Sequence, residues 1–467
     1  MTKFLLTAFA LLIFSPPAAR AQEPAPNEAR AAVVVAGGGT RERIRRDTFD
    51  LVWRTVNDNH YDPTFGGLDW PQVRARYEPL ALSAGTDAEF YDVLRRMVGE
   101  LKLSHFAIYP PGAFEPPAAG ENRPAAAVRG AAGLDVRFIG NQVVVSRVEP
   151  GSAAERAGLR TGFVLTKVGE RDLARAGAAS APNGSRPAAA PDAADASETT
   201  EAYRQTLLRA RVLSLLGGAA GETRHVSYLD GRGRPRQAVL TLLESDEGMS
   251  EPFGNFPAMP TQFEARRIGE VGYVRFNIWV ASLMPKLREA VVELRDARAL
   301  VFDLRGNPGG LGVMGIGLAG MLSDEEILLG TMRQRRGHTN FLVNPQPDPF
   351  AGPVVVLLDR LSGSTSEIFA LGLQEAGRAV VVGERSAGAA LPSIFARLPS
   401  GATFQFAFAD FRTPKGVAVE GRGVVPDVVV SLDRRSLLAG RDPQLEAALE
   451  VARRRAAPRA ARPAARK

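Results

Sequence analysis

Residues 353–384 read PVVVLLDRLSGSTSEIFALGLQEAGRAVVVGE: an apolar β-prone run, a polar turn, an apolar helical run and a second β-prone run. Strand, helix and strand in succession are the pattern of a parallel sheet crossed by its connecting helices. Ser364 stands at the mouth of the helix, and two readings of it compete. With Glu367 it has the S-x-x-E spacing of a capping box. A serine hydroxyl at a helix start also faces unpaired N–H groups and the positive dipole end, where the negative charge of an attacked carbonyl would be held. The stretch alone leaves both open.

Upstream, from about Ile268, the alternation continues with VGYVRF (271–276), a helical stretch over 281–297, ALVFDLRG (299–306) and a Gly-rich helix. Ligands in such α/β sheets gather at the carboxyl ends of the strands. Both DLRGNPGG (303–310) and SGSTSE (362–367) begin there. The glycines of the first can expose backbone N–H groups where Cβ atoms would obstruct.

The rest of the chain divides around this core. A length of 467 residues is too great for one core. Residues 1–21 carry Lys3, an apolar run from Phe4 to Phe14 and the small-x-small site Ala19-Arg20-Ala21, a secretory signal peptide in form with the cut after Ala21. The expected location is therefore periplasmic or secreted. Residues 22–39 read as a disordered linker. Residues 40–110 read as a helical domain, because Phe49, Val52, Trp53 and Val56, and then Phe90, Val93, Leu94, Met97 and Leu101, recur at helical spacing. The second set follows a capping box, Thr86 to Glu89, and delivers Lys102-Leu103-Ser104-His105 to a loop or strand start. After a Pro/Ala-rich joint, residues 128–244 are β-prone, interrupted at 176–200 by a low-complexity insertion expected to be a loop. The α/β core occupies 250–440, and 441–467 hold a C-terminal helix and a basic disordered tail.

Composition excludes several functions. There are no cysteines, hence no disulfide, thiolate metal site or cysteine nucleophile. The net charge of +7 does not indicate nucleic acid, because seven positives lie between Arg453 and Lys467 and two more, Lys3 and Arg20, in the signal segment. The basicity belongs to ARRRAAPRAARPAARK, read as a solvated tail that also suits weak contact with an anionic membrane surface.

Five features in order, a helical N-terminal part, a β-rich insert, DLRGNPGG, S-x-S-E before an apolar helix with Q-x-x-G-R, and VVGE, resemble the tail-specific, or C-terminal processing, serine peptidases, including their tricorn-like branch. The resemblance implies a multidomain α/β protein: helical N-terminal region, PDZ-like β-rich domain and ClpP/crotonase-like peptidase core. It implies Ser364 as nucleophile. In the processing branch a lysine some two dozen residues later is the base, but here Ala389 of GERSAGAALP stands near that place. The tricorn-like branch implies instead a histidine preceded by serine, matched by Ser104-His105, and a glutamate matched by Glu420 in VAVEGRGVVPD. His105 would be the general base, with Ser104 and Glu420 fixing it. The N–H groups of Thr365 and of Gly309 or Gly310 would form the oxyanion hole. No metal or cofactor is called for. His60, His225 and His338 lie in no matched motif and read as structural.

VRGAAGLDVRF (128–138) followed by EPGSAAERAGLRTGFVLTKVGE (149–170) resembles a bacterial protease PDZ domain. The resemblance implies that N–H groups of Ala132, Gly133 and Leu134 receive a peptide's terminal carboxylate while the peptide adds as a strand along LDVRF. Phe163 stands where an acidic residue is usual. The function expected is an exported serine endopeptidase acting on polypeptides with free C-terminal ends. Two other readings stand beside it: a binding or carrier protein of the same fold without proteolysis, and an envelope scaffold working through the PDZ-like domain.

Overall fold

A computed structural model of the chain describes residues 37–112, 129–173, 192–245 and 248–456. The segment read as a signal peptide, most of the linker and residues 457–467 lie outside the described residues.

The core is a six-stranded sheet in the order Phe263–Ile268, Val271–Phe276, Ala299–Asp303, Val354–Leu358, Ala379–Gly383, Val428–Val429. The first pair is antiparallel and every later pair parallel, with Phe302 beside Val356 and Leu357 beside Val382. Every residue of Ala299–Asp303, Val354–Leu358 and Ala379–Gly383 is buried. Parallel strands covered on both faces need such unbroken apolar runs. Leu300, Phe302, Val354, Val356 and Leu358 pack with Leu287, Leu318 and Phe369 of the helices Met284–Glu293, Gly312–Gly320 and Thr365–Glu375. The alternate residues Val301, Val355, Leu357 and Val382 meet Ala448, Leu449, Val451 and Ala452 of the helix Pro443–Ala456. Side-chain period two thus feeds two layers from one set of strands.

The N-terminal part is three helices, Gly37–Asn59, Trp70–Leu82 and Asp87–Gly99. The last begins on the Thr86/Glu89 capping box, with both reciprocal bonds made. Phe49, Val56, Trp70, Phe90, Leu94 and Met97 form one cluster with Leu398, Phe404 and Phe406 of the hairpin Ser393–Arg397/Thr403–Ala407. The strand Ala107–Tyr109 pairs antiparallel with Thr403–Ala407. Residues 100–106, with Ser104 and His105, are therefore anchored at both ends on core-packed elements.

The β-rich domain is a sheet in the order Leu134–Ile139, Gln142–Val148, Val164–Val168, Thr223–Leu229, Pro235–Thr241. Phe163 stacks on Tyr228 at 5.5 Å, which accounts for an aromatic side chain at that turn. The structure corrects three boundaries. The insertion expected to loop over 176–200 gives way at Asp192 to a helix, Asp192–Leu215. Its Ala, Glu, Leu and Arg are strong helix formers, and Val212 is buried among Val136, Leu165 and Val226 of the sheet. The helix Gly37–Asn59 begins inside the stretch read as linker. Arg453, Arg454 and Arg455 belong to the last turn of the C-terminal helix, where cations meet the negative dipole end, rather than to a tail.

Phe302, with no exposed surface, sits edge-on to Phe369 at 6.2 Å in the layer beneath Ser364. Phe302→Ala is expected to lower unfolding free energy by about 3–5 kcal/mol, read as a fall in denaturant midpoint at unchanged m-value.

Candidate active site

The strand Val354–Leu358 ends in the turn 359–363, and Ser364 follows with φ 51° and ψ −119° before the helix Thr365–Glu375. A non-glycine residue in that region is strained unless its surroundings hold it. Here they do. The Ser364 N–H donates to the Ala389 carbonyl (2.8 Å) and to Glu367 Oε2 (3.0 Å), and the preceding Gly363 N–H donates to the Asn307 carbonyl (3.0 Å). The Glu367 N–H returns to the Ser364 carbonyl (2.8 Å), and Ser364 and Glu367 close a capping box at the helix start. The two readings of Ser364 are thus compatible: the backbone and Glu367 carboxylate bonds that close the helix do not depend on the hydroxyl, which can turn to other work. Ser364 is half-buried between buried Gly363 and Thr365.

DLRGNPGG leaves the neighbouring strand and packs against this turn. A Cβ on Gly309 (φ 103°) would fall 2.5 Å from the Ser364 Cβ and 3.0 Å from the Thr365 nitrogen, so only glycine allows the approach. The Gly309 N–H, however, donates to Asn307 Oδ1 (3.0 Å). That corrects the expectation for Gly309 and leaves Gly310 as the candidate of the pair. Thr365 is the first helical residue, so its N–H has no intrahelical acceptor. Its hydroxyl donates to the Gly310 carbonyl (2.8 Å), tying the two segments.

Ser104, His105 and Glu420 come together across 316 positions. Ser104 donates to Glu420 through its N–H (2.8 Å, Oε1) and its hydroxyl (2.9 Å, Oε2), and the same hydroxyl lies 2.6 Å from His105 Nδ1. Ser104 and His105 are buried, and His105 has φ 61°. Burial lowers the His105 imidazole to about 4, so it rests neutral. Burial raises the Glu420 carboxyl to about 7, against the opposing pull of the Ser104 and Ala390 donors.

The two halves share one segment. Ala389 gives its carbonyl to Ser364, and the Ala390 N–H donates to Glu420 Oε2 (3.0 Å). Glu367, fully buried, holds that segment from beneath: Ser386 Oγ (2.5 Å) and the Gly388 N–H (2.7 Å) donate to Oε1, and the Ala389 N–H (3.0 Å) donates to Oε2. Burial, aided by the nearby Glu420 charge, raises the Glu367 carboxyl to about 7.

The β-rich domain reaches the same place. Ala202 of the helix Asp192–Leu215 packs on Ala387 and Ala389. Arg137 Nε donates to Asp359 Oδ2 (2.5 Å), while Asp359 Oδ1 accepts the Gly306 (2.9 Å) and Leu361 (3.0 Å) N–H groups. Arg209 bridges Asp135 Oδ1 (2.8 Å) and the Gly306 carbonyl (3.1 Å). Burial opposes ionisation of Asp135, but Arg137 and Arg209 hold it well below the usual carboxylate range. In the loop expected to receive a carboxylate, the Ala132 and Gly133 carbonyls accept from Ala154 and Glu149 (2.9 Å each), and Leu134 opens the strand opposite Val148. The expectation of a free edge along LDVRF is corrected: the Val136 N–H donates to Asp135 Oδ1 (2.8 Å) and its carbonyl accepts from Arg137 Nη1 (2.9 Å). The two charged side chains close the edge in this conformation.

Elsewhere, His225 and His338 are exposed on strands, and His60 is buried, stacked on Tyr61 at 4.7 Å.

A strained serine between two strand ends, flanked by a glycine strip and a helix start, defines a serine peptidase of α/β fold. The model of peptidase family S41 matches residues 270–430, and that of the tricorn protease C1 domain matches residues 42–99. The chloroplastic C-terminal processing peptidase of Tetradesmus obliquus is 27% identical over 406 residues, covering 85% of this chain and 79% of that protein. Tricorn protease homolog 1 of Streptomyces coelicolor is 26% identical over 449 residues, 87% of this chain but 35% of that longer protein. The structure of a photosystem II D1 C-terminal processing protease superposes with a TM-score of 0.54 at 25% identity, covering 89% of this chain and 99% of the other. Residues 270–430 thus carry a peptidase family S41 domain, and most of the chain is similar to C-terminal processing peptidases.

Sequence reasoning took Glu367 for a capping residue only and gave Ser386 and Asn307 no part. A signal existed: Glu367 is the lone charge in the run EIFALGL, and a buried carboxylate needs several donors. Glu367→Ala leaves Ser386, Gly388 and Ala389 donors without that acceptor. The expected loss is about 3 kcal/mol or more of stability, with a smaller loss for Glu367→Gln, measured by urea unfolding.

Proposed function

We propose that this peptidase is an exported serine endopeptidase that takes polypeptides by their carboxyl ends through the PDZ-like domain and cleaves with Ser364 as nucleophile and His105 as base. One observation carries the Ser/His reading: the Ser104 hydroxyl lies between Glu420 and His105 Nδ1. With Glu420 ionised, that hydroxyl gives its proton to the carboxylate and accepts the Nδ1 proton. Nε2 is then the lone-pair nitrogen, the form a general base needs.

Ser364 Oγ attacks the scissile carbonyl carbon and its proton passes to Nε2. The imidazolium so formed is balanced by the Glu420 charge relayed through Ser104, which offsets the burial that disfavours it. The oxyanion is held by the Thr365 and Gly310 N–H groups. As the C–N bond breaks, Nε2 returns the proton to the leaving amine. Water repeats the sequence on the ester, its proton going to Nε2 and then back to Ser364 as the new carboxyl end departs. Ala389, near the family's lysine position, supports a base of another kind. The relatives named for carboxyl-terminal processing support substrates bound by their ends, and the N-terminal segment supports export.

Two outcomes test this reading. A fluorophosphonate probe is expected to label the wild type, with labelling absent in Ser364→Ala and slowed about 10³-fold in His105→Ala; an unlabelled wild type contradicts it. The pH profile follows from Glu420. Once Glu420 is protonated it donates to Ser104, Ser104 donates to Nδ1, and Nε2 carries the hydrogen and cannot act as base. Labelling should therefore rise with pH through about 7, the raised value of Glu420, rather than through the His105 value of about 4. Glu367 titrates in the same range, so the inflection belongs to the pair. Glu420→Gln should flatten the rise, and a rise unchanged in that variant excludes the relay.

A further inference from the structure

A cavity of about 170 Å³ lies where the PDZ-like domain meets the peptidase core, and Arg137, Gln205, Asp359, Arg360, Glu384 and Gln444 are among the residues that line it. We infer that it is a subsite for one cationic side chain, lysine or arginine, of the polypeptide substrate. The inference rests on the peptidase reading above and adds to it a preference that neither the fold nor the family assigns.

Size permits it, since an apolar cavity of about 150 Å³ admits a benzene molecule. The chemistry of the walls selects the occupant. Gln205 is 8% exposed; its Nε2 donates to Glu201 (2.9 Å), and its buried Oε1 has no partner. A buried carbonyl without a donor is uncommon and invites one from a ligand. The charges point the same way. Arg137 is matched by Asp135 and Asp359, both in ion pairs with it. Glu384, half-buried, makes no ion pair among the described residues. Burial and the neighbouring Asp359 charge raise its carboxyl, against the pull of Arg360, exposed at the rim, and of hydrogen bonds from the Leu432 backbone and the Gln444 side chain. An ammonium or guanidinium group supplies the donor that Gln205 Oε1 lacks and a countercharge for Glu384, which has hydrogen-bond donors but no ion pair among the described residues.

Position fits as well. The strand Leu134–Ile139 leads from the loop expected to receive the terminal carboxylate to the cavity wall at 137–140. The opposite wall, 359–361, runs within three residues into Ser364. At about 3.4 Å per extended residue, a chain held by its end at 132–134, and taking the Val136 backbone bonds now made by Asp135 and Arg137, would place a side chain about five to seven residues from its terminus in the cavity.

Binding of fluorescent peptides to full-length Ser364→Ala protein tests the inference, with arginine, alanine or glutamate placed in turn at the fifth to seventh positions from a free carboxyl end. Arginine is expected to bind about tenfold tighter than alanine at one of these positions, and glutamate weaker than either. Adding Glu384→Gln should bring the arginine-to-alanine ratio near one, and Arg360→Ala should widen it. Gln205→Met removes the acceptor from the other wall and should narrow the ratio, which serves if Glu384→Gln does not fold. No arginine preference at any position, or a preference unchanged in folded Glu384→Gln, overturns the subsite. Cleavage of the same peptides by the wild type is followed in parallel. Peptides cleaved without preference sink the subsite and leave the peptidase mechanism standing; peptides bound with preference yet never cleaved do the reverse.

Discussion

Two carboxylates, Glu367 fully buried and Glu420 half-buried, grip one short segment and set the geometry on which the rest depends. Glu367 and Glu420 both bond to residues 386–390 and between them accept the N–H groups of Gly388, Ala389 and Ala390. The same segment supplies the carbonyl that fixes the Ser364 backbone. Because Glu420 also holds Ser104, the positions of His105 and Ser364 are referred to one stretch of backbone, although the two residues come from distant parts of the chain. Like charges this close resist joint ionisation, and burial resists it further. A site of this kind has its protonation state written into its fold.

A second set of buried charges joins the β-rich domain to that site. Asp135, Arg137 and Arg209 from the β-rich domain meet Asp359 and Gly306, which belong to the two turns flanking Ser364. Gly306 has φ 70°, and a Cβ there would lie 2.6 Å from Arg137 Nη2. The glycine of DLRG is thus required by the neighbouring domain as well as by its own turn. Buried ion pairs are expensive to form and more expensive to break singly, so the contact specifies one docking geometry rather than a loose association.

Much of this could be read in the sequence, for a physical reason. Strands covered on both faces must be continuously apolar, so VVVLL and AVVVG announce a parallel sheet, and the S-x-x-E spacing marks the helix start at Ser364. Ser104, His105 and Glu420 carry no local period, and only the resemblance to a family singled them out. The misreadings have physical causes too. The stretch over 192–200 looks like solvated low-complexity chain, yet it runs straight into residues 201–215, rich in Ala, Leu, Glu, Gln and Arg, and extends their helix, which packs on the β-rich sheet. In LDVRF the alternation of Asp135 and Arg137 with Val136 and Phe138 implies one wet face. That face meets the peptidase core instead, where the charges are matched rather than solvated. The Gly309 N–H was assigned by its neighbourhood to Ser364, but the Asn307 side chain, two residues away, already takes it. Local pattern fixes which face is polar; only tertiary pairing decides whether that face sees water.

The central claim is that ionised Glu420, acting through Ser104, places the His105 proton on Nδ1. With only four histidines in the chain, ¹⁵N NMR of the histidine-labelled protein can follow each ring nitrogen directly. At about one pH unit above the Glu420 value of about 7, the His105 signals should be those of a neutral ring with hydrogen on Nδ1 and a bare Nε2, and this pattern should vanish in Glu420→Gln. A His105 ring carrying its hydrogen on Nε2 under those conditions would contradict the account.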